Sequence, residues 1–412
     1  MSPPAAQRRI EAIMAERLGR ECLLVPSGRL ALLLAFASLL APGDRILMSP
    51  VNDDVILFTV LAAGLRPVMA PLSPDDGNID VGAVEESVWP TLAAVLTTNL
   101  YGLPDRMEQL RARCERHRIL LIEDGAHALE TTVEGTAIGG FGDVAAFSLS
   151  KHVAARAGGV LAPRQERLLP ELARLRDAAT IARPRCQRVG DLTGSGLRQA
   201  LSALHLTLAA RRLRRMVMTS ERVNDRMPLR PAALREAVVA TGQSMRPAGG
   251  ADRICARLDA FEPWLRVDRH DYRAQLLDRH HERILRRLDN LEAERVRRVE
   301  GVRRLAELEV VAPAVRRGPA QPLFRVPLLV EDRDTVRAAL ERRGIPTHYI
   351  YNPPLDDYAG PSFVERSPAP EAARWWARHV LPVDPLHAED AIEALEDPAL
   401  GLRPAVPLTA SA

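Results

Sequence analysis

Short, almost continuous apolar runs alternate with longer stretches of helical spacing over the first 160 residues. The runs within PGDRILMSP (42–50), LRPVMAPL (65–72), TLAAVLTTNLYG (91–102), RILLIEDGAH (118–127) and VAAFSLSK (144–151) read as strands. The stretches 29–41, 55–64, 80–89 and 104–117 read as helices between them. Strands that are apolar on both faces belong to a sheet covered on both sides. The pattern therefore predicts an α/β fold with a mainly parallel sheet flanked by helices. Ligands of such sheets gather at the carboxyl ends of the strands. Asp124 and Lys151 both fall there.

Beyond residue 160 the character changes. Between 161 and 250 there are 17 Arg against 7 Asp and Glu, so this segment holds most of the excess positive charge. It contains 196–218, an apolar stretch ending in an Arg cluster. Residues 273–308 are charged, with Leu and Val at helical spacing. Short strands and helices return at about 309, with 324–331 as a strand, 333–343 as a helix and a helical ending at 385–397. The organisation expected is a short helical arm (1–20), a large ligand-binding domain (21–160), a basic helical segment (161–262), a long helical connection (263–308) and a smaller C-terminal α/β domain (309–405).

The chain has 412 residues, is 47% hydrophobic and carries a net charge of +3. It can bury a large core, and its charge does not argue for a nucleic-acid partner. Four widely spaced cysteines, with no zinc-type spacing, read as reduced thiols of a cytosolic protein. The N-terminal stretch has no signal-like apolar run, and the apolar run 30–41 is too short to span a bilayer. His280 and His281 are adjacent and diverge on a helix, so they do not form a metal-binding pair, and no metal site is expected.

Composition matters most at one position. Of 56 basic residues, Lys151 is the only lysine. A neutral amine attacks an aldehyde and forms a Schiff base; a guanidinium stays protonated and cannot. A chain that uses Arg at every other basic position would still retain a lysine needed for imine chemistry. Asp124, at the end of a buried strand, suits a metal ligand, a general base, a charge partner or a helix cap. Beside a Schiff-base lysine it suggests a partner for a pyridinium nitrogen. In PSGRLAL (26–32), Ser27 and Gly28 stand at a loop-to-helix junction, which suits a phosphate and equally an ordinary cap. Ser148 and Ser150 share a strand face and could reach the same phosphate.

In order and content, SGRLAL, PGDRILMSP, SPDDGNID (73–80), NLYGLPDRME (99–108), IEDGAHALE (122–130), GGFGDVAAFSLSK (139–151), AGGV (157–160) and GIPTHYIYNPP (344–354) resemble the DegT/StrS-type aminotransferases. These are fold type I pyridoxal-phosphate enzymes known for sugar amination. The resemblance implies pyridoxal 5'-phosphate held by Lys151 as a Schiff base, with Lys151 also moving the proton. It implies Asp124 on the pyridinium nitrogen, His127 near the ring, and Ser27, Gly28 and Arg29 with Ser148 or Ser150 around the phosphate. Asp54, Asn99, Tyr101, Arg273 and Tyr349 become candidates for the substrate or partner-subunit site. A homodimer in the cytoplasm is implied, with a small-molecule amino donor and a keto acceptor on a nucleotide sugar or natural-product intermediate.

The sequence departs from that family in four places. VNDDV (51–55) stands where an aromatic usually covers the ring, leaving Asn52, Asp53 or Asp54 there. His152 follows the lysine, and the serine-to-lysine gap is short. The usual first helix is missing or replaced. The segment 161–262 is long, and reads as helices packed on the core or dimer, as a membrane-surface contact through 196–218, or as a lid or partner-docking surface. The alternatives to transamination are another pyridoxal-phosphate reaction (lyase, dehydratase, decarboxylase, cyclase or oxygen-using) and a degenerate homologue that binds a partner or membrane.

Overall fold

The computed structural model describes residues 4–182, 226–243, 250–267 and 271–408. Its centre is a seven-stranded sheet built from β1 (Leu23–Val25), β2 (Arg45–Met48), β3 (Arg66–Met69), β4 (Ala94–Leu96), β5 (Leu120–Asp124), β8 (Val144–Ser148) and β9 (Gly159–Pro163). The hairpin β6 (Thr132–Val133) and β7 (Thr136–Ala137) lies between β5 and β8. The order is β1-β9-β8-β5-β4-β2-β3. Neighbours from β3 to β8 pair in parallel, whereas β9 runs antiparallel to both β8 and β1. The mainly parallel sheet expected from the apolar runs is present, and its strands are almost wholly buried.

Helices cover both faces. On one side lie α2 (Gly28–Leu39) and α3 (Asp54–Ala62), each opened by a short polar cap. The Ser27 side chain accepts the Leu30 N–H and that of Asp53 accepts the Val55 N–H, satisfying amides that a helix start leaves without intrahelical acceptors. The same core takes in α5 (Leu169–Ala179) and the helices Pro231–Gln243 and Gly250–Leu265, through Leu175, Leu234, Leu258, Phe261 and Trp264. The described parts of 161–262 thus pack on the large-domain core, as one of the three readings had it. The 196–218 stretch lies outside the described residues. On the other face α4 (Met107–His117) buries Met107, Leu110 and Cys114.

Two expectations need correction. Residues 80–89 form turns, not a helix: the Asp80 carboxylate takes the Gly82 and Ala83 N–H groups, a local alternative to helical bonding. The N-terminal helix α1 (Ala5–Leu18) is not an arm. Ile10 and Met14 are fully buried in a cluster with Ile284 and Leu288. In the connection 263–308 the described residues 271–277 are non-helical, and helices Asp278–Leu288 and Leu291–Leu305 follow, parted at Asp289 and Asn290.

The C-terminal unit pairs β10 (Val326–Leu329) antiparallel with β11 (Val380–Val383), flanked by helices Arg333–Arg342, Glu371–His379 and Ala388–Leu395. Its core is continuous with Val51, Leu72, Leu100, Tyr101 and Leu103, from loops of the large domain. The small domain is therefore seated against the loops that carry the chemistry.

Candidate active site

Asp124 is the last residue of β5, and Lys151 follows the neighbouring β8 by three residues, so parallel pairing brings both to one end of the sheet. Burial pushes the Asp124 carboxyl up to about 7, against the Ala126 N–H bond (3.0 Å) and the Lys151 charge, which pull it down. Burial likewise lowers the Lys151 amine. Asp53 and Asp124 work against that shift, while Arg325 and Arg29 add to it. A lysine held below its ordinary range is more readily the neutral nucleophile.

Glu123, one residue earlier, points to the opposite side. Its carboxylate accepts the N–H groups of Gly139 (2.6 Å), Phe141 (2.9 Å) and Gly142, which ties the GGFGD loop to β5.

The hydroxyls of Ser148 and Ser150 meet at 2.8 Å, so the two serines do share a face. Gly28, the first residue of α2, lies so close to β8 that a Cβ there would sit 3.0 Å from the Ser148 Cβ. A Cβ on Gly159 would collide with the Ser27 backbone. Two glycines thus let the start of α2 press against the β8–β9 pair, beside the two hydroxyls. Ser27 has less to offer: it gives its one proton to the Tyr272 carbonyl (2.9 Å) and caps Leu30. Arg29 donates to the Leu265 carbonyl, with its guanidinium 5.6 Å from the Tyr272 ring.

His127 is buried and stacks on Phe324, ring centroids 5.0 Å apart and planes 19° apart. Burial holds it well below the usual histidine range, helped by Lys151, His152 and Arg325. His152 is buried and lowered to about 4. As a neutral imidazole it donates Nε2–H to the His127 carbonyl (2.7 Å), so the residue after the lysine braces the loop after β5.

The VNDDV segment divides its roles. Asn52 donates to the Thr98 hydroxyl (3.2 Å). Asp53 caps α3, and its charge acts on Lys151, Asp124 and Arg29. Asp54, the residue singled out from sequence, instead accepts the Met227 N–H (2.7 Å) next to Arg226. Burial and the adjacent Asp53 raise it to about 6.

The other candidates scatter. Asn99 is fully buried and donates to the Thr97 hydroxyl (3.0 Å) and the Asp124 carbonyl (3.1 Å). Tyr101 donates to the Ile350 carbonyl. Arg273 is held by the Ala179 carbonyl (2.9 Å) and Asp259 (2.7 Å), on the large-domain helices. Tyr349 donates to Asp334 and accepts from Arg337, so it faces its own small-domain helix. Tyr351 is the tyrosine turned toward the cleft: Asp53, Asp124 and Tyr101 act on its hydroxyl, and Arg226 lies 5.6 Å from its ring.

Sequence reasoning missed Phe324 and Arg325, named Asp53 only as one of three alternatives beside Asn52 and Asp54, and took Tyr349 rather than Tyr351. Only Asp53 had a local signal, as the first of two acids before an apolar helix, where a cap belongs. Among the described residues no group of three His, Cys, Asp or Glu side chains could hold a metal, and no helix is long and apolar enough to cross a membrane.

A lysine and an acid at the carboxyl edge of a mainly parallel sheet, beside a helix start and two hydroxyls, define a fold type I pyridoxal-phosphate scaffold. The chain belongs to the DegT/DnrJ/EryC1/StrS aminotransferase family, whose sequence profile matches residues 5–251, and the aminotransferases of this family depend on pyridoxal phosphate. It is 29% identical over 178 residues to GDP-perosamine synthase of Vibrio cholerae, covering 42% of this chain and 48% of that protein. It is 33% identical over 168 residues to L-glutamine:2-deoxy-scyllo-inosose aminotransferase of Streptomyces kanamyceticus, covering 38% and 39%. The chain thus matches less than half the length of these curated relatives. Solved structures extend the likeness in fold. DesV of S. venezuelae superposes with TM-score 0.63 at 21% identity, covering 97% of this chain and 90% of that one. A GDP-4-keto-6-deoxy-D-mannose-3-dehydratase of E. coli gives 0.65 at 16%, covering 95% and 91%. The fold is therefore common to aminotransferases and a dehydratase.

The residues present fit pyridoxal phosphate. A half-buried amine can meet its aldehyde, a buried acid can face its ring nitrogen, and two hydroxyls beside a helix start can receive its phosphate.

Proposed function

We propose that this chain is a pyridoxal-phosphate-dependent aminotransferase. It moves an amino group from a donor such as glutamate to a keto group of a nucleotide sugar or natural-product intermediate, as a homodimer in the cytoplasm. The observation that carries the reading is the sole lysine of the chain, lowered in basicity and brought by the pairing of β8 with β5 to the sheet end that carries Asp124. The free thiols of Cys22, Cys114 and Cys255 support a reducing compartment.

Pyridoxal phosphate, when bound, supplies the aldehyde that accepts the amino group and the ring that withdraws electrons from the reacting carbon. The chain's own residues do the rest. Lys151 Nζ holds the cofactor and, as a neutral amine, takes and returns the proton. Asp124 presents a carboxylate to the ring nitrogen from the end of β5. Ser148, Ser150 and the first amides of α2 receive the phosphate. His127, backed by Phe324, presents a neutral ring to the cleft.

The test is a single turnover. Protein loaded with pyridoxal phosphate and mixed with glutamate should release about one 2-oxoglutarate per cofactor as the visible cofactor absorbance bleaches. Retained absorbance with no keto acid from glutamate or glutamine would remove transamination and leave another pyridoxal-phosphate reaction.

A further inference from the structure

Phe324 comes from the small domain, just before β10, yet its ring lies among the residues of the large-domain cleft. His127 stacks on it at 5.0 Å. The Lys151 ammonium nitrogen lies 5.6 Å from its centroid, and the guanidinium carbons of Arg325 and Arg298 lie at 4.7 Å and 5.9 Å. His152 approaches the same ring at 5.6 Å.

The backbone around Phe324 is fixed from several sides. Arg298 donates to the carbonyls of Leu323 (3.2 Å) and Phe324 (3.3 Å), and the Arg325 N–H donates to the Tyr101 carbonyl (3.0 Å). Gly102 permits this approach: at φ +97° its missing Cβ would sit 2.7 Å from the His127 carbonyl oxygen and 2.9 Å from the Phe324 nitrogen. Three chain segments meet there with no room for a side chain. The ring's position is therefore set by how the small domain docks.

We propose that Phe324 is a positioning residue for the Lys151 amine and the His127 ring, an aromatic clamp by which the docked small domain holds both in the cleft. This rests on the reading of Lys151 as the cofactor lysine. An aromatic face attracts a cation and stacks on a neutral imidazole. The ring thus favours the ammonium form of Lys151 and fixes His127 parallel to itself. The charged groups that act on the amine are Asp53 from the start of α3, Asp124 from β5, Arg29 from α2 and Arg325 from the small domain; His127, on the loop after β5, is neutral. The carboxylates favour the ammonium and the arginines oppose it. Phe324 adds attraction without adding charge.

The single lysine makes the test direct. Full-length chain freed of cofactor and grown with lysine carrying 13C at the ε carbon should give one ε-methylene resonance, whose shift follows protonation of Lys151 Nζ. Phe324→Met keeps volume and removes the aromatic face; its midpoint should fall by about half a pH unit. Phe324→Tyr should hold the midpoint where the unaltered chain has it. Where the Met variant does not fold, Phe324→Leu takes its place. An unchanged midpoint in the folded non-aromatic variant, or an equal fall in Phe324→Tyr, would overturn the clamp. The readout needs no turnover, so it can fail while the aminotransferase reading stands. That reading can also fail, by absence of 2-oxoglutarate, while the titration still reports on Phe324.

Discussion

The side-chain amide of Asn99 donates to the backbone carbonyl of Asp124 at 3.1 Å, tying the turn after β4 to the end of β5. Asn99 adopts the left-handed conformation (φ 44°), which asparagine tolerates better than most residues. It also donates to Thr97 and accepts the Asp105 N–H at 3.1 Å. The residue acts through the carboxylate's backbone rather than on a ligand.

Asn99→Ala should therefore cost about 2–3 kcal/mol in chemical denaturation, because buried partners lose their bonds together. Cofactor affinity should fall with it, read by titration of the visible absorbance.

Lys151→Arg keeps the positive charge and removes the attacking amine. The visible absorbance of bound pyridoxal phosphate should be lost, and turnover with it, while the far-ultraviolet dichroism stays native. A variant with its absorbance and activity intact would contradict the central assignment.

Asp124 gives the cofactor-free chain a pH signature. Its folded pKa of about 7 lies above the ordinary 3.8, so the native state binds the extra proton between those values. Stability is fullest below pH 4 from this group and declines as pH rises through about 7, by on the order of 4 kcal/mol at most. Asp54 and Asp76, each raised to about 6, add the same sign. Asp124→Asn should flatten part of that decline, measured as denaturation midpoints from pH 4 to 8.

Gly102→Ala should destabilise the chain by about 2 kcal/mol or more. The added carbon meets backbone from two segments at an unfavourable φ. The small domain should also become more open to limited proteolysis at its junction with the cleft.

Arg298 is buried, with Glu294 at 3.0 Å and Asp384 at 3.2 Å. Arg298→Met should cost about 2–3 kcal/mol, because the carbonyls of Leu323 and Phe324 and the half-buried Glu294 lose their donor together, while Asp384 keeps Arg325. Lysine should rescue little, since one ammonium cannot match the fork that serves two carboxylates and two carbonyls.

The apolar runs made β2, β4, β5 and β8 legible, and with them the positions of Asp124 and Lys151. Strand order and pairing then brought those two together, as the α/β pattern predicts. Sequence alone does not fix the helix phase at Asp53 and Asp54; the cap puts the first acid toward the cleft and sends the second to Met227. Tyr349 and Tyr351 are two residues apart in a loop without regular period, so nothing local says which turns toward the cleft. Phe324 was invisible because its neighbours lie far off in the chain and meet it only through domain docking. Asp80 can cap a turn as readily as a helix, so the sequence around 80–89 does not tell the two apart.

The strand β5 ends in two adjacent acids whose fates are opposite. Glu123 is saturated by three backbone amides of a glycine-rich loop, while Asp124 faces the amine. The pleat acts as a sorting device: one residue of register separates a fastener from a reagent. Exchanging the pair, Glu123→Asp with Asp124→Glu, preserves charge and composition. It would still shorten the acid that reaches the three amides of the loop and lengthen the one at the cleft. The order Glu-Asp thus follows the pleat: the acid on the loop side holds the scaffold, and its neighbour is left for chemistry.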